Sequence, residues 1–431
     1  MRKWFISSLC VAGAFVGTAL HAQVAADWRE LNTTARAAVE KNDNAAAWRA
    51  LDKLVPAMNG YSRLLPRLAM TAALDGQPAA CLRTLDRYSR MGLYTPDVPE
   101  QKGWSPEERA EYSRIRARLN QNAQPVGAAT VAFTLADREL VPEDIAYDSK
   151  TKTFLISSTR ERKVVAVHPD GSVTDFIKTG QDGLWAAMGL AVDEKRRALW
   201  VSSGATPETT GYPLADAGHT AVFEYDLDTH ALRRRYDLPV LKTPQLLGDI
   251  GVMPSGDVLA GDAFGMLYRV RPGAPTPEPM ADRRSFVSAQ EPAALPDGDH
   301  ALVIDYVLGI AKIDLKTKAL TWLRHPDDVA LNGIDGIVVR GTRAIAVQNG
   351  TNPNRIIAID FDDGFNNIKA VTVLEQKTPH LTEPTHGVIV GDAYYFIANS
   401  ESDKLEAGGA VKKTEVLLSP VIQKLPLTVA K

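Results

Sequence analysis

The sequence predicts an all-β, six-bladed β-propeller preceded by a small α-helical domain. Two observations carry that prediction. Six times between Glu143 and His386 the chain opens a similar unit: PEDIAYD, MGLAVD, GDIGVMP, QEPAALP, IDGIVV and THGVIVG. Each opening leads into a short apolar strand, a turn and a second strand such as FLISS, ALWVSS, VLAGD, ALVID, AIAVQN or YYFIAN. The later openings lie about 42 to 51 residues apart, the length of a four-stranded blade. The second observation is a change of hydrophobic period, from 3.6 before about Asn122 to 2 from Val131 onward.

Taken in order, residues 1–22 read as an export signal. Arg2 and Lys3 precede the apolar stretch Trp4–Leu20, and Leu-His-Ala ending at Ala22 offers a cleavage site. The stretch is short for a membrane span, and no other segment approaches one. The expected location is a bacterial periplasm or the exterior. Residues 23–122 are Ala-, Leu- and Arg-rich, with Trp48, Leu51 and Leu54 on one helical face and Leu64, Leu65, Leu68 and Ala72 on another. Pro56 and Pro66 interrupt the pattern, and Ser105-Pro-Glu-Glu reads as the capped start of another helix. Gln121–Ala128, with Pro125 and Gly127, reads as the connection, so 123–130 forms the linker and 131–431 the propeller. Within the propeller, VVAVHPDGSVTDF, YDLDTHAL and IDLKTKAL are hairpins. The strand VAFTL and the C-terminal EVLLSPVIQKLPL are expected to complete one blade together, which closes the ring.

Composition narrows the function classes. With 431 residues, 45% hydrophobic content and a formal net charge of -3, the chain is globular, and its charge gives no reason to expect nucleic acid. Of its two cysteines, Cys10 lies in the export signal and Cys81 in an apolar helical pattern, so neither a disulfide nor a thiolate metal site is expected. The chain has no dinucleotide fingerprint, P-loop or nucleophile elbow. DFDDGFNN near Asp360 lacks the twelfth-position Glu of a calcium loop and reads as a hairpin turn.

Propeller geometry then selects candidate site residues. The innermost strand starts, and the second strand ends, on the same face of the ring. One set of polar residues there is Glu143, Asp249, Glu291, Asp335 and His386, with Asn332 just upstream. The other is Ser158, Ser203, Asp262, Asp305, Asn349 and Asn399. Clustered carboxylates raise one another's pKa, and a bound divalent cation removes that penalty. Oxygen donors suit Ca²⁺, with Mg²⁺ or Mn²⁺ as alternatives; His386 with two carboxylates would also admit Zn²⁺. The same residue types serve as turn formers and amide caps, so a structural role stands beside the functional one at every position. The insertion ATPETTGYPLADAGH in the second blade could place Tyr212 over a ligand, and Trp185 and Tyr306 are further candidates for a pocket wall.

PEDIAYD, GDIGVMPSGDVLAGDAFGMLYRV, ALPDGDHALVIDYVLGIAKIDL and NGIDGIVV resemble the calcium-dependent lactonase propellers of the senescence-marker-protein/gluconolactonase group. A looser similarity extends to strictosidine-synthase-like propellers. The resemblance implies one divalent metal in the channel, held by a Glu, an Asn and an Asp, and the opening of sugar or other lactones. By position, Glu143 and Asp335 match the Glu and Asp. Gln290 or Glu291 stands where the family has Asn, Asp249 lies near the family's substrate-contacting Asn, and Asp144 replaces a Gly. The stretch LAMTAALDGQPAACLRTLDRYSRMGL resembles a tetratricopeptide helix pair and reads as a cap or docking arm.

The expected ligand set is therefore Glu143, Glu291 and Asp335, with Asp335 or His386 as general base and Asp249, Asn349, Asp305 and Tyr212 toward a small-molecule substrate. Two readings follow. One is an exported metal-dependent hydrolase of a lactone or related ester. The other is a non-catalytic propeller that binds a ligand or protein partner, with the helical arm as its docking module.

Overall fold

The computed structural model describes residues 22–212 and 214–427. Residues 1–21, with Cys10 and almost all of the expected export signal, lie outside the described residues, as do Pro213 and residues 428–431.

Five helices come first: α1 (Ala22–Glu40), α2 (Asn44–Ala57), α3 (Leu65–Leu74), α4 (Pro78–Arg90) and α5 (Pro106–Asn122). Local chemistry sets their ends. Asp43 caps α2, and Ser105 and Glu108 form a reciprocal capping box on α5. Pro66 sits in the first turn of α3, where its missing N–H costs nothing. Pro56 falls in the last turn of α2 and does not interrupt it. Cys81 is free and buried, and burial pushes its thiol up to about 12.

Six four-stranded antiparallel sheets follow. Blades one to five start with the inner strands Pro142–Asp148, Ala186–Asp193, Leu247–Val252, Ala289–Ala294 and Ile337–Arg340. Each runs outward through three further strands in chain order. Blade six is shared between the two ends of the propeller: Gly387–Val390, Ala393–Ile397 and the C-terminal Val421–Pro426 are completed on the outside by Thr130–Thr134. The expected closure is thus formed, and it removes the open edge that either end segment would leave alone. Inner strands of successive blades adjoin around the ring, the sixth meeting the first.

The core is distributed in the same way. Six apolar clusters fill the gaps between neighbouring blades, for instance Phe176 against Phe223 and Leu199 between blades one and two, and Ile345 and Ile356 against Tyr394 and Phe396 between five and six. The second strands are buried on both faces, which explains their unbroken apolar runs. The basic run lies on an outer strand, with Arg233 paired to Asp226 and Arg235 over the Trp185 ring. DFDDGFNN is a hairpin turn in which Asp362 accepts the amides of Asn366 and Asn367.

The arm is a cap. Leu54, Leu65, Leu85 and Ile115 share one apolar cluster with Val307, Leu308 and Ala330 of blades four and five. Those three residues lie in connections at the face where the inner strands begin. The face of the arm that could have docked a partner is, in this part, occupied by the propeller itself.

Candidate metal centre

Cross-strand pairing fixes which openings are equivalent. Ile145 pairs with Ile156, Leu190 with Val201, Ile250 with Ala260, Pro292 with Val303, Ile337 with Ala346 and Gly387 with Phe396. Counting back from these positions divides the expected single set into two tiers. Nearest the mouth stand Glu143, Met188, Gly248, Gln290, Asp335 and Thr385. One residue deeper stand Asp144, Gly189, Asp249, Glu291, Gly336 and His386. Glu291 is therefore the counterpart of Asp144, and Gln290 is the counterpart of Glu143 and Asp335. Because side chains alternate along a strand, a shift of one residue changes the direction of the group.

Three of the predicted residues come together. Ligand atoms of Glu143, Asp335 and His386 all lie within 4.8 Å of one another. They belong to blades one, five and six, which are consecutive in the closed ring. The deeper His386 reaches between the two carboxylates from the blade that separates them. Its Nδ1 is 3.1 Å from the Glu143 carbonyl oxygen, and its Nε2 is 3.2 Å from Asp249 Oδ1. Gly336 makes room for the ring, since a Cβ there would lie 2.8 Å from His386 Cδ2. Asn349 holds Asp335: its Nδ2 donates to Asp335 Oδ2 at 2.6 Å and to the Pro384 carbonyl, while Tyr306 donates to its Oδ1 at 2.9 Å.

The deeper acids divide by what the next blade offers them. Asp144 Oδ2 accepts the Leu190 amide at 2.6 Å, and Glu291 Oε2 accepts the Ile337 amide. The equivalent amide facing Asp249 would be that of residue 292, a proline, which has no N–H. Asp249 instead turns to His386, and its Oδ2 has no hydrogen-bond partner. The Glu291-Pro292 pair, a turn signal by sequence, thus consumes Glu291 in a backbone tether and releases Asp249. Glu291 lies outside the three-residue cluster for that reason.

Electrostatics follow from enclosure. Glu143 and Asp335 keep partial access to solvent, but protein surrounds them on most sides. Burial, reinforced by the Asp335 and Asp249 charges against the opposing His386, holds Glu143 well above the usual carboxylate range. Burial also pushes Asp335 up to about 7, with His386 opposing and Asp249 adding. Burial opposes charge on His386, yet Asp249, Asp144 and Asp335 outweigh it and hold the imidazole well above its usual value. Asp249 Oδ2, Thr385 Oγ1 and Tyr394 Oη are buried without hydrogen-bond partners. Unsatisfied buried groups of this kind are costly, and a cation between the carboxylates would relieve both the repulsion and part of that cost. The donors Glu143, Asp335 and His386 fit a divalent ion on these grounds.

The second set is mostly structural. Asp305 is a correction: its two oxygens accept the amides of Val287, Ser288, Val307 and Leu308, leaving nothing for a substrate. Asp262 caps Phe264, Ser158 bonds Leu140 and Glu161, Ser203 accepts the Trp185 amide, and Asn399 holds Ser419 and Val421. Asn349 differs because Gln348, one residue earlier, takes the equivalent position and bonds the carbonyls of Ala330 and Asn332. Tyr212 stands in the blade-two insertion. That insertion is pinned by Trp185 Nε1 to Asp216 Oδ2 at 3.0 Å and meets the blade-six insertion through Gly408 N to Pro207 O at 2.6 Å. It forms a rim over blade one. Glu383, not singled out by sequence, tethers the blade-six insertion by accepting Ser402 Oγ at 2.8 Å, and its charge is felt by Glu143 and Asp335.

No family model matches the chain, and no curated protein matches it in sequence. Solved structures do. A gluconolactonase from Xanthomonas campestris is 16% identical over 71% of this chain and 99% of its own, with a TM-score of 0.45. Virginiamycin B lyase from Staphylococcus aureus is 12% identical over 70% and 100%, with a TM-score of 0.47. A chain of the nidogen/laminin complex is 13% identical over 53% and 79%, with a TM-score of 0.41. The likeness is one of fold. At such identities and scores, what this chain does has to be argued from its own residues.

Proposed function

We propose that this chain is a divalent-metal-dependent hydrolase that opens a lactone or a related ester at the propeller mouth. The observation that carries the reading is the convergence of Glu143, Asp335 and His386 within 4.8 Å, beside unsatisfied buried polar atoms. Glu143, Asp335 and His386 would hold the ion: the two carboxylates suit Ca²⁺, Mg²⁺ or Mn²⁺, and the single imidazole would also admit Zn²⁺. When bound, the ion supplies Lewis-acid polarisation of the substrate carbonyl. Asp335, oriented by Asn349, is the group placed to take a proton from the attacking water. His386 would serve as the alternative proton carrier only where it does not ligate the ion, since a ligating imidazole must be neutral. Water adds to the carbonyl carbon, the acyl carbon–oxygen bond breaks, and the proton returns to the departing alkoxide. The reading of residues 1–22 as an export signal would make it an exported, periplasmic enzyme.

One observation favours a second reading, a propeller that binds its ligand without turning it over. Asp249 Oδ1 lies 3.2 Å from His386 Nε2, so an imidazolium–carboxylate pair could satisfy the histidine with no metal and no catalytic task. Turnover of a lactone and ester panel, with chelator and after readdition of Ca²⁺, Mn²⁺ or Zn²⁺, separates the readings. Metal-restored hydrolysis supports the enzyme. Ligand binding without turnover under every metal supports the binding module, and chelator-insensitive hydrolysis removes the metal from the proposal.

A further inference from the structure

The helical arm converges on the segment that carries Asp335. Ser62, in the loop between α2 and α3, donates its hydroxyl to Asn332 Oδ1 at 2.6 Å, and both residues are at least 97% buried. A second route starts at the far end of α4. The buried guanidinium of Arg355 donates to the carbonyls of Met91 and Gly92 at 3.0 and 3.3 Å and to Gln348 Oε1 at 2.7 Å. Gln348 passes the restraint on by donating to the Asn332 carbonyl at 2.7 Å. Ala330 and Leu308 belong to the apolar core of the arm itself.

From Asn332 the restraint reaches the site in a few steps. Gly333 donates its amide to the Tyr306 carbonyl at 2.7 Å and accepts that of Gly350 at 2.9 Å. The two glycine backbones touch, since a Cβ on Gly333 would lie 2.6 Å from Gly350 Cα. Tyr306 and Asn349, which flank this contact, then hold Asp335 Oδ2. We infer that the helical arm is a built part of the candidate metal centre: it fixes residues 330–335 from two sides, and Ser62 is a positioning residue for the Asp335 carboxylate. This rests on the proposed function only where it speaks of metal; the positioning itself does not.

The test is hydrogen exchange on the full chain without metal, comparing wild type, Ser62→Ala, Ser62→Thr and Arg87→Ala. Arg87 Nε donates to the Asp327 carbonyl at 2.9 Å, so Arg87→Ala removes an arm contact that does not reach Asn332. Losing a buried hydrogen bond should accelerate exchange over residues 333–337 and 349–350 by about tenfold in Ser62→Ala. Ser62→Thr should restore protection and Arg87→Ala should leave those amides unchanged. Unchanged exchange in Ser62→Ala, or an equal effect in Arg87→Ala, would overturn the inference. If Ser62→Ala fails to fold, Arg355→Lys weakens the second route and is read on the same amides with the same criteria. In parallel, Mn²⁺ affinity should fall by about tenfold in Ser62→Ala, by the same loss of one buried bond. Absence of Mn²⁺ binding by the wild type would count against the metal reading alone, and the exchange data would still decide the positioning role.

Discussion

Pro292 shows how one residue without an N–H reorganises the channel. Asp144 and Glu291 each spend a carboxylate oxygen on an amide of the following blade, and Asp249 has no such amide to bond. The free carboxylate faces His386 instead. Pro292→Ala supplies the missing donor. We expect Asp249 to be drawn toward it, and the His386 ring to titrate at lower pH than in the wild type when followed by NMR of the imidazole protons. The same residues mark what was legible. Glu143, Asp335 and His386 were recognisable as candidates because propeller geometry brings blade openings to one mouth, although turn and cap chemistry offered each of them a local role as well. The tier to which each belongs was not, because QEP and PED look alike while pairing places Glu291 level with Asp144. Asp305 reads from the sequence as a substrate contact, because nothing local to it shows that four amides surround the carboxylate.

Among the elements, the blades were legible through period and turn chemistry, since a buried strand and a Pro-Asp-Gly turn are local signals. The closure of blade six was anticipated for a physical reason, the cost of an open edge. That the helices form a cap or arm reads from the sequence, but which blades they meet was not legible, because α4, the turn after α2 and the loop at Ser62 meet blades four and five through contacts some 250 residues apart in sequence. The closing strand has a direct consequence. Val421–Pro426 lies between Ala393–Ile397 and Thr130–Thr134, with Ile422 fully buried. Truncation before Val421 would leave the edges of two strands unpaired and open the apolar clusters on either side of blade six. We predict loss of the cooperative thermal transition and aggregation on heating, read by circular dichroism and light scattering, whereas truncation after Leu427 should leave the transition in place.

For the whole molecule, the candidate metal centre links stability to pH. Asp335 is pushed up to about 7, and Glu143 also stands well above its ordinary value. Between the carboxylate range of an unfolded chain, about pH 4, and the raised folded values, the folded state keeps protons that the unfolded state has released. These groups therefore destabilise the metal-free protein progressively as pH rises through that window. His386, also raised, acts with the same sign: its stabilising charge is present below the unfolded value near 6.5 and is lost as pH rises through the folded one. On the proposed function, a divalent ion would replace the protons. The rise in melting temperature on adding metal should accordingly be larger at pH 8 than at pH 5, and the difference should vanish in Glu143→Gln/Asp335→Asn.

The central claim, that Glu143 and Asp335 with His386 form one divalent-metal site, is tested most directly by calorimetric titration of the chelator-treated protein with Ca²⁺, Mn²⁺ and Zn²⁺. The account predicts one equivalent of at least one of these ions bound by the wild type. It also predicts at least a tenfold loss of affinity in each of Glu143→Gln and Asp335→Asn, since each removes a charged donor. Binding of the same stoichiometry and affinity in both variants would contradict it.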